Sequence, residues 1–190
     1  MDKQTFINKF QLQPLMPNSH KFRFGKPTRE AAVLIPIVDV ENELHIVLTR
    51  RSEQLKHHAG QISFPGGKVE PSDPSLVFTA LREAEEEIGL PMSSVQTIGQ
   101  LEPYHTISGF NVTPIVGMLT ELIEFKVDMD EVASVFTVPL SHFLDQENHI
   151  KVDTYHHGYL HQIHFMPYQD YNIWGATAAM LADLVRHIKD

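Results

Sequence analysis

One segment of the chain, residues 74–88, combines an apolar stripe with a row of carboxylates, and so restricts the folds open to it. Because an α-helix advances by roughly 100° per residue, residues three, four or seven apart lie on one face. Four apolar residues have this spacing: Val77, Leu81, Ala84 and Ile88. Three acids fall in the neighbouring arc: Glu83, Glu86 and Glu87. The pattern predicts a helix that packs on a core with one side and exposes three acids on the other.

The residues around this segment predict where the helix begins and ends. Asp73 followed by Pro74 is typical of an N-cap and a proline in the first turn. Gly89 stands where a glycine commonly ends a helix, and Pro91 prevents continuation. The helix is therefore expected to run from about Pro74 to Ile88, with Asp73 as its cap.

The three acids indicate a site for a divalent cation. Like charges at this spacing repel by a few tenths of a kcal/mol per pair, roughly. A cation bound between the carboxylates would make their electrostatic interaction energy favourable. Gly66 and Gly67 lie just upstream, where the backbone turns or approaches another group closely. Oxygen ligands and the absence of cysteine from the 190 residues favour Mg²⁺ or Mn²⁺ over zinc. A solvated acidic helix face is the alternative interpretation.

The stretch from Gly67 to Leu90 resembles the Nudix box, which reads Gly, five residues, Glu, seven residues, then Arg-Glu-apolar-x-Glu-Glu-x-Gly-apolar. Residues 82–90 fit the second half at every specified position. The first half departs from the pattern, since Asp73 replaces the glutamate and eight residues rather than seven separate it from Arg82. Because Asp73 is expected to cap the helix, it is not assigned to metal.

The Nudix resemblance implies an α/β/α sandwich with a mixed β-sheet between helices, and metal-dependent hydrolysis of a phosphoric anhydride. It implies that Glu83, Glu86 and Glu87 bind Mg²⁺ or Mn²⁺ together with the backbone carbonyl of Gly67. Either Glu83 or Glu86 could instead act as general base on the attacking water. Arg82 would orient the glutamates. The expected catalytic residues are therefore Glu83, Glu86 and Arg82.

A second segment, residues 48–67, resembles the stretch that precedes the box in coenzyme A pyrophosphatases. It reads LTRRS, then LKHHAGQISFPGG after two residues, with Lys56 where that subfamily usually carries arginine. Residues 171–178 also resemble the start of its C-terminal helix. The resemblance implies that coenzyme A or its thioesters are split into 3′,5′-ADP and 4′-phosphopantetheine.

The charge of the chain bears on its partners. A net charge of -9 argues against a nucleic-acid surface, because phosphate backbones require clustered Lys and Arg. Basic residues nevertheless concentrate on both sides of the glycine turn, where a small phosphorylated substrate would bind. The residues assigned to substrate binding are Arg50, Arg51, Lys56, Gly66 and Lys68. An ordinary hydrated strand end explains the same cluster equally well.

Other functions stay open at this point. Lys56 and the longer box leave room for hydrolysis of ADP-ribose, a dinucleoside polyphosphate or a nucleoside triphosphate. A non-catalytic nucleotide-binding regulator is a third reading, against which the intact acids count. Glu131 is a candidate further acid near the metals, although an acidic loop in solvent is as good an explanation.

The remaining sequence predicts a helix and connector over residues 1–25 and one domain over 26–190. The N-terminal helix would be amphipathic, and no run is long and apolar enough to span a membrane. We expect a cytoplasmic protein, and a homodimer is one expectation from the family. Strands are predicted at 31–38, 43–50, 62–64, 95–105, 112–119 and 132–139, two more within 154–165 turning at Gly158, and helices at 141–144 and 175–188.

Overall fold

The computed structural model describes residues 1–18, 29–156 and 159–189. The helices within these ranges are α1 (Lys3–Leu12), α2 (Leu76–Ile88), α3 (Leu140–Leu144) and α4 (Gly175–Ile188), with short 3-10 turns at Met92–Ser94 and Gln146–Asn148. The strands are β1 (Arg29–Val40), β2 (Glu43–Arg51), β3 (Ile62–Ser63), β4 (Gly66–Lys68), β5 (Val95–Gln100), β6 (Tyr104–His105), β7 (Phe110–Leu119), β8 (Val132–Pro139), β9 (Ile150–His156) and β10 (Tyr159–Phe165).

Strand β1 is the centre of the main sheet. It runs parallel to β7 and antiparallel to β2 and β4. The sheet continues outward from these strands in the order β3-β2-β1-β7-β5, with β6 added beside β7 and β8 beside β2. Strands β9 and β10 form a separate antiparallel pair. The mixed sheet predicted from the sequence is therefore confirmed.

The uninterrupted apolar run in β1 reflects burial on both faces of the sheet. Ile35 and Ile37 belong to one core cluster, whereas Ala32 and Leu34 belong to the other. A strand covered on both faces needs apolar residues at every position, not only at alternate ones. The predicted turn between β1 and β2 is present at Glu41 and Asn42, whose φ angles are 52° and 66°.

Helices cover both faces of the sheet. Ala80, Ala84 and Ile88 of α2 pack against one face. Residues of α1, α3 and α4, such as Phe6, Phe143 and Leu181, pack with the core on the other. The arrangement is the predicted α/β/α sandwich. No helix in the described residues combines the length and apolar character needed to cross a membrane.

Two sequence predictions need adjustment. The strand predicted over 95–105 is divided into β5 and β6, and Pro103, which has no N–H to donate to a ladder, lies in the gap. Leu12 of the predicted amphipathic N-terminal helix is 82% exposed, while Phe6 and Phe10 carry the buried face. Gly158, the predicted turn, and the predicted boundary after residue 25 lie outside the described residues.

The N-terminal helix is expected to contribute directly to stability. Phe6 is fully buried in the core and Phe10 packs against His187 of α4, with ring centroids 4.5 Å apart. Phe6→Ala should lower the free energy of unfolding by about 3–5 kcal/mol, because it removes buried surface and leaves a cavity. Leu12→Ala, on the same helix but in solvent, should change it by less than about 0.5 kcal/mol. Urea unfolding of the two variants checks this, and equal midpoints would contradict it.

Candidate active site

Helix α2 begins one residue after a serine rather than at the predicted proline. Ser75 is the N-cap, and its hydroxyl accepts a hydrogen bond from the Phe78 N–H at 3.1 Å. The prediction that Asp73 caps the helix is therefore wrong, since its carboxylate is engaged elsewhere. At the other end Gly89 has a φ of 65°, as the predicted terminating glycine requires.

Asp73 is the anchor of an arginine. Its side chain is entirely buried, and its two oxygens each accept an Arg82 N–H at 3.1 Å. The hydroxyl of Thr79 and the N–H of Glu70 also donate to Asp73, at 2.8 and 2.9 Å. The hydrogen bonds from Arg82 are the main cause that lowers the pKa of Asp73 to about 2. Sequence reasoning missed this role, although Asp73 stands at the position of the family's glutamate.

Arg82 connects Asp73 to two of the three predicted metal ligands. Its Nη2 lies 2.9 Å from Oε1 of Glu83, and its Nη1 lies 2.8 Å from Oε2 of Glu86. Nη2 also donates to the backbone carbonyl of Lys68 at 3.3 Å. The hydrogen bond to Asp73, followed by the contacts with Glu83 and Glu86, raises the pKa of Arg82 above its already high ordinary value. Arg82 is thus placed to fix the positions of both glutamates.

Glu83 lies directly against the glycine turn. A Cβ built on Gly67 would overlap the Glu83 carboxylate, so glycine alone permits this approach. The N–H and C=O of Gly67 lie in β4, which pairs with β1 at Ala32. Burial raises the pKa of Glu83, against the lowering effect of Arg82. The predicted backbone ligand Gly67 and the predicted side-chain ligand Glu83 are therefore neighbours.

Glu87 is buried, contrary to the prediction that all three acids face solvent. Its side chain is only 4% exposed, whereas that of Glu86 is 60% exposed. The Gly66 N–H donates to Oε2 of Glu87 at 3.3 Å, and Nη1 of Arg51 lies 3.8 Å from Oε1. Desolvation is the main cause that raises the pKa of Glu87 to about 8. The glycine turn covers this acid, which a helical projection cannot reveal.

The predicted basic cluster does not act as one group. Arg51 reaches the acids, but Arg50 pairs with Glu53 at 2.7 Å on the surface. Lys56 is exposed in the loop between β2 and β3. The Lys68 ammonium lies 6.0 Å from the centre of the Phe110 ring. Of the five residues assigned to substrate binding, the structure brings Arg51 and Gly66 directly to the carboxylates.

Glu131 interacts electrostatically with Glu83 and Glu87. It is exposed, and its backbone carbonyl accepts the Ser52 N–H at 2.9 Å. Its negative charge contributes to raising the pKa of both Glu83 and Glu87. Glu131 therefore lies near enough to influence the site, and its role as a further metal ligand stays a prediction.

The donor set fits a hard divalent cation. Carboxylates at Glu83, Glu86 and Glu87 and a backbone carbonyl at Gly67 are the oxygen ligands that Mg²⁺ and Mn²⁺ take. The buried Glu87 carboxylate, whose ion pair with Arg51 is long at 3.8 Å, is the group a cation would stabilise most. No three His, Cys, Asp or Glu side chains of the described residues already stand in a metal-holding arrangement. Arg82 holds two of the carboxylates, so a cation would compete with it.

The fold and the acidic helix that follows the glycine turn are those of a hydrolase of phosphoric anhydrides. The family model described as "NUDIX domain" matches residues 28–184. The chain belongs to the Nudix family, and it is a pyrophosphohydrolase.

Relatives of similar sequence agree with this membership. The chain is 42% identical over 186 residues to a protein named "Uncharacterized Nudix hydrolase NudL" of Yersinia pestis (strain Pestoides F), covering 96% of this chain and 93% of that protein. The Yersinia pseudotuberculosis protein of the same name gives the same values.

Among solved structures, the fold is similar to that of a C. elegans Ap4A hydrolase binary complex. The TM-score is 0.51 at 18% identity, covering 60% of this chain and 82% of that one. The Nudix hydrolase RenU of M. smegmatis also gives a TM-score of 0.51, at 19% identity, covering 64% of this chain and 76% of that one. These two similarities support the fold alone.

The Asp73–Arg82 contact generates a first test of the site. Asp73→Asn removes the charge that holds Arg82, so Glu83 and Glu86 lose their fixed positions. Activity and metal affinity should fall about 10- to 100-fold, as is usual when a group that orients metal ligands is changed. Glu70→Gln is the matched control, since Glu70 contacts Asp73 through its backbone N–H and C=O, which the substitution keeps. Steady-state rates and Mn²⁺ titrations measure both, and equal values for the two variants would contradict the role of Asp73.

Burial of Glu87 should make the stability of the metal-free protein depend on pH. With a native pKa of about 8 and an ordinary value of 4.5, the native state keeps a proton that the unfolded state has lost between these values. Glu87 should therefore lower stability as pH rises from about 5 to 8. Glu87→Gln stays neutral, so its Tm should rise relative to wild type across this range, measured with chelator present.

Glu85→Gln is the control for this comparison, because Glu85 is exposed on the same helix. Its Tm should follow the wild-type pH profile. A Glu87→Gln profile parallel to wild type would show that burial does not hold a proton on this carboxyl group.

Proposed function

We propose that this protein hydrolyses the diphosphate linkage of coenzyme A or its thioesters, giving 3′,5′-ADP and 4′-phosphopantetheine. The observation that carries the diphosphate chemistry is the Glu83 carboxylate against Gly67, beside the buried Glu87. The choice of coenzyme A is supported by residues 48–67, which resemble the corresponding segment of coenzyme A pyrophosphatases. Arg51 belongs to that segment and lies at the acids.

The residues that would hold Mg²⁺ or Mn²⁺ are Glu83, Glu86, Glu87 and the carbonyl of Gly67. When bound, such a cation neutralises phosphate charge and lowers the pKa of a coordinated water. Gly66 contributes the N–H that keeps the Glu87 carboxylate at the turn, 3.3 Å away. The glycine pair therefore places the main chain and two of the acids around one point.

Arg82 and one glutamate would control the proton of the attacking water. Arg82, held by Asp73, fixes the Glu83 and Glu86 carboxylates at 2.9 and 2.8 Å. A carboxylate released from Arg82 as substrate binds can accept that proton as general base. Glu83 and Glu86 are both candidates for this role, because both are held by the same guanidinium.

Arg51 is proposed to bind the diphosphate of the substrate. Its side chain is 25% exposed and faces Glu87 at 3.8 Å, so the guanidinium lies at the boundary between the acids and solvent. Arginine binds phosphate oxygens through two parallel N–H groups. Arg50, Lys56 and Lys68 are proposed to attract the anionic substrate from farther away, on surfaces open to solvent.

A product assay tests the proposal. Purified protein is incubated with coenzyme A and Mg²⁺ or Mn²⁺, with ADP-ribose, a dinucleoside polyphosphate and a nucleoside triphosphate in parallel, and products are separated by chromatography. Release of 3′,5′-ADP and 4′-phosphopantetheine, abolished by a chelator, is the expected result. Cleavage of another nucleotide but not of coenzyme A would overturn the substrate assignment. Nucleotide binding without any product would favour a non-catalytic regulator.

The assigned acids are tested by matched substitutions on one helix. Glu86→Gln keeps the size of a side chain that is largely exposed, yet it should lower kcat by two or more orders of magnitude, roughly, as loss of a metal ligand or general base does. Glu85→Gln changes an exposed neighbour outside the acidic face and should retain kcat within about twofold. Steady-state kinetics on the substrate found above give both values. Near-normal turnover of Glu86→Gln would contradict its assignment.

A further inference from the structure

Two cations meet at one aromatic ring just outside the acidic site. The Arg29 guanidinium carbon lies 4.0 Å from the centre of the Phe110 ring, and the Lys68 ammonium lies 6.0 Å from it. The sheet produces this meeting, because β1 and β7 pair Arg29 with Phe110 and β1 and β4 pair Ala31 with Lys68. We call Arg29, Lys68 and Phe110 the basic edge.

Carboxylates do not neutralise the basic edge within the described residues. No ion pair between described residues includes Arg29 or Lys68. The nearby Glu30 bonds instead to the Asn111 amide at 3.0 Å. In a protein of net charge -9, two adjacent cations without a carboxylate partner form a local site for an anion.

Arg29 is held in a way that leaves hydrogen-bond donors available. One Nη2 N–H donates to the Ser108 carbonyl at 2.8 Å, which is a neutral partner. The ring of Phe110 supports the flat face of the guanidinium through a cation–π contact. A guanidinium carries five N–H donors at its edge, and a ring below its face occupies none of them. Arg29 can therefore present parallel N–H groups to a phosphate.

The basic edge adjoins the acidic site through β4. Gly67 faces Glu83, and the next residue, Lys68, faces Phe110, because consecutive strand residues point to opposite faces. The backbone carbonyl of Lys68 accepts an Arg82 N–H at 3.3 Å. A ligand with its diphosphate at the acids would therefore have to pass the edge of the sheet at β4 for a second anionic group to reach the basic edge on the opposite face.

We propose that the basic edge binds the phosphate monoester that coenzyme A carries on its ribose, and so selects substrates that bear it. This inference rests on the proposed function, because it names the recognition of one part of the proposed substrate. A monoester is a compact dianion, which matches one arginine fork and one lysine point charge. A nucleotide without this group would leave both cations unused.

Binding of two product nucleotides tests the basic edge without requiring turnover. Calorimetry compares 3′,5′-ADP with AMP, which differ only by the monoester, on wild type and Arg29→Gln in the same Mg²⁺ buffer. Wild type should bind 3′,5′-ADP at least about tenfold more tightly, and Arg29→Gln should lose most of this ratio. Lys151→Gln, an equal charge change on exposed β9, should keep it. An equal ratio in wild type and Arg29→Gln, or no preference in wild type, would overturn the proposal.

A second variant and a kinetic comparison separate the possible failures. Phe110→Leu keeps both cations but removes the ring beneath Arg29, so it should lower the ratio by a smaller factor. If the protein cleaves coenzyme A, the ratio of kcat/KM for coenzyme A over dephospho-coenzyme A should fall in Arg29→Gln in parallel with binding. If it cleaves another nucleotide instead, the proposed function fails, and the binding ratio still decides whether the basic edge recognises a monoester.

Discussion

The contact between Asp73 and Arg82 organises the acidic face of α2. The buried Asp73 carboxylate fixes one guanidinium, which in turn holds Glu83 and Glu86 at hydrogen-bond distance. Without it, two like charges three residues apart would repel and move into solvent. The same contact joins the loop before α2 to the middle of the helix. The acids are therefore held by a charge network that the helix alone could not provide.

Glycine gives the site its second constraint. Gly66 and Gly67 belong to the sheet through β4, yet their backbone lies against Glu87 and Glu83. A side chain at Gly67 would fill the space of the Glu83 carboxylate. Helix α2 can therefore approach β4 this closely only because Gly67 has no side chain. This proximity leaves Glu87 buried and its pKa raised to about 8 in the metal-free protein. A divalent cation bound to Glu87 would offset the cost of burying its charged carboxylate.

Helix ends and turns that depend on local backbone conformation could be predicted from the sequence. Burial and ion pairs that depend on residues distant in the sequence could not. The end of α2 at Gly89 and the turn at Glu41 have backbone conformations that few residues favour, so both were predicted correctly from the sequence. The start of α2 was misjudged because Asp73 and Ser75 are equally good caps, and only the contact with Arg82 separates them. Burial of Glu87 depends on the packing of α2 beneath β4. A helical projection shows the positions of residues around one helix and gives no information on this packing. The spacing of Glu83, Glu86 and Glu87 was enough to predict that these acids lie close together on one helix.

Direct titration of metal tests the central claim that these acids form one cation site. Mn²⁺ is titrated into metal-free wild type, a variant with Glu83→Gln and Glu87→Gln combined, and Glu85→Gln, with far-ultraviolet circular dichroism confirming the fold of each. Saturable Mn²⁺ binding is expected in wild type and in Glu85→Gln, and its loss is expected in the combined variant. Binding of equal affinity in all three would place the cation elsewhere and contradict the account.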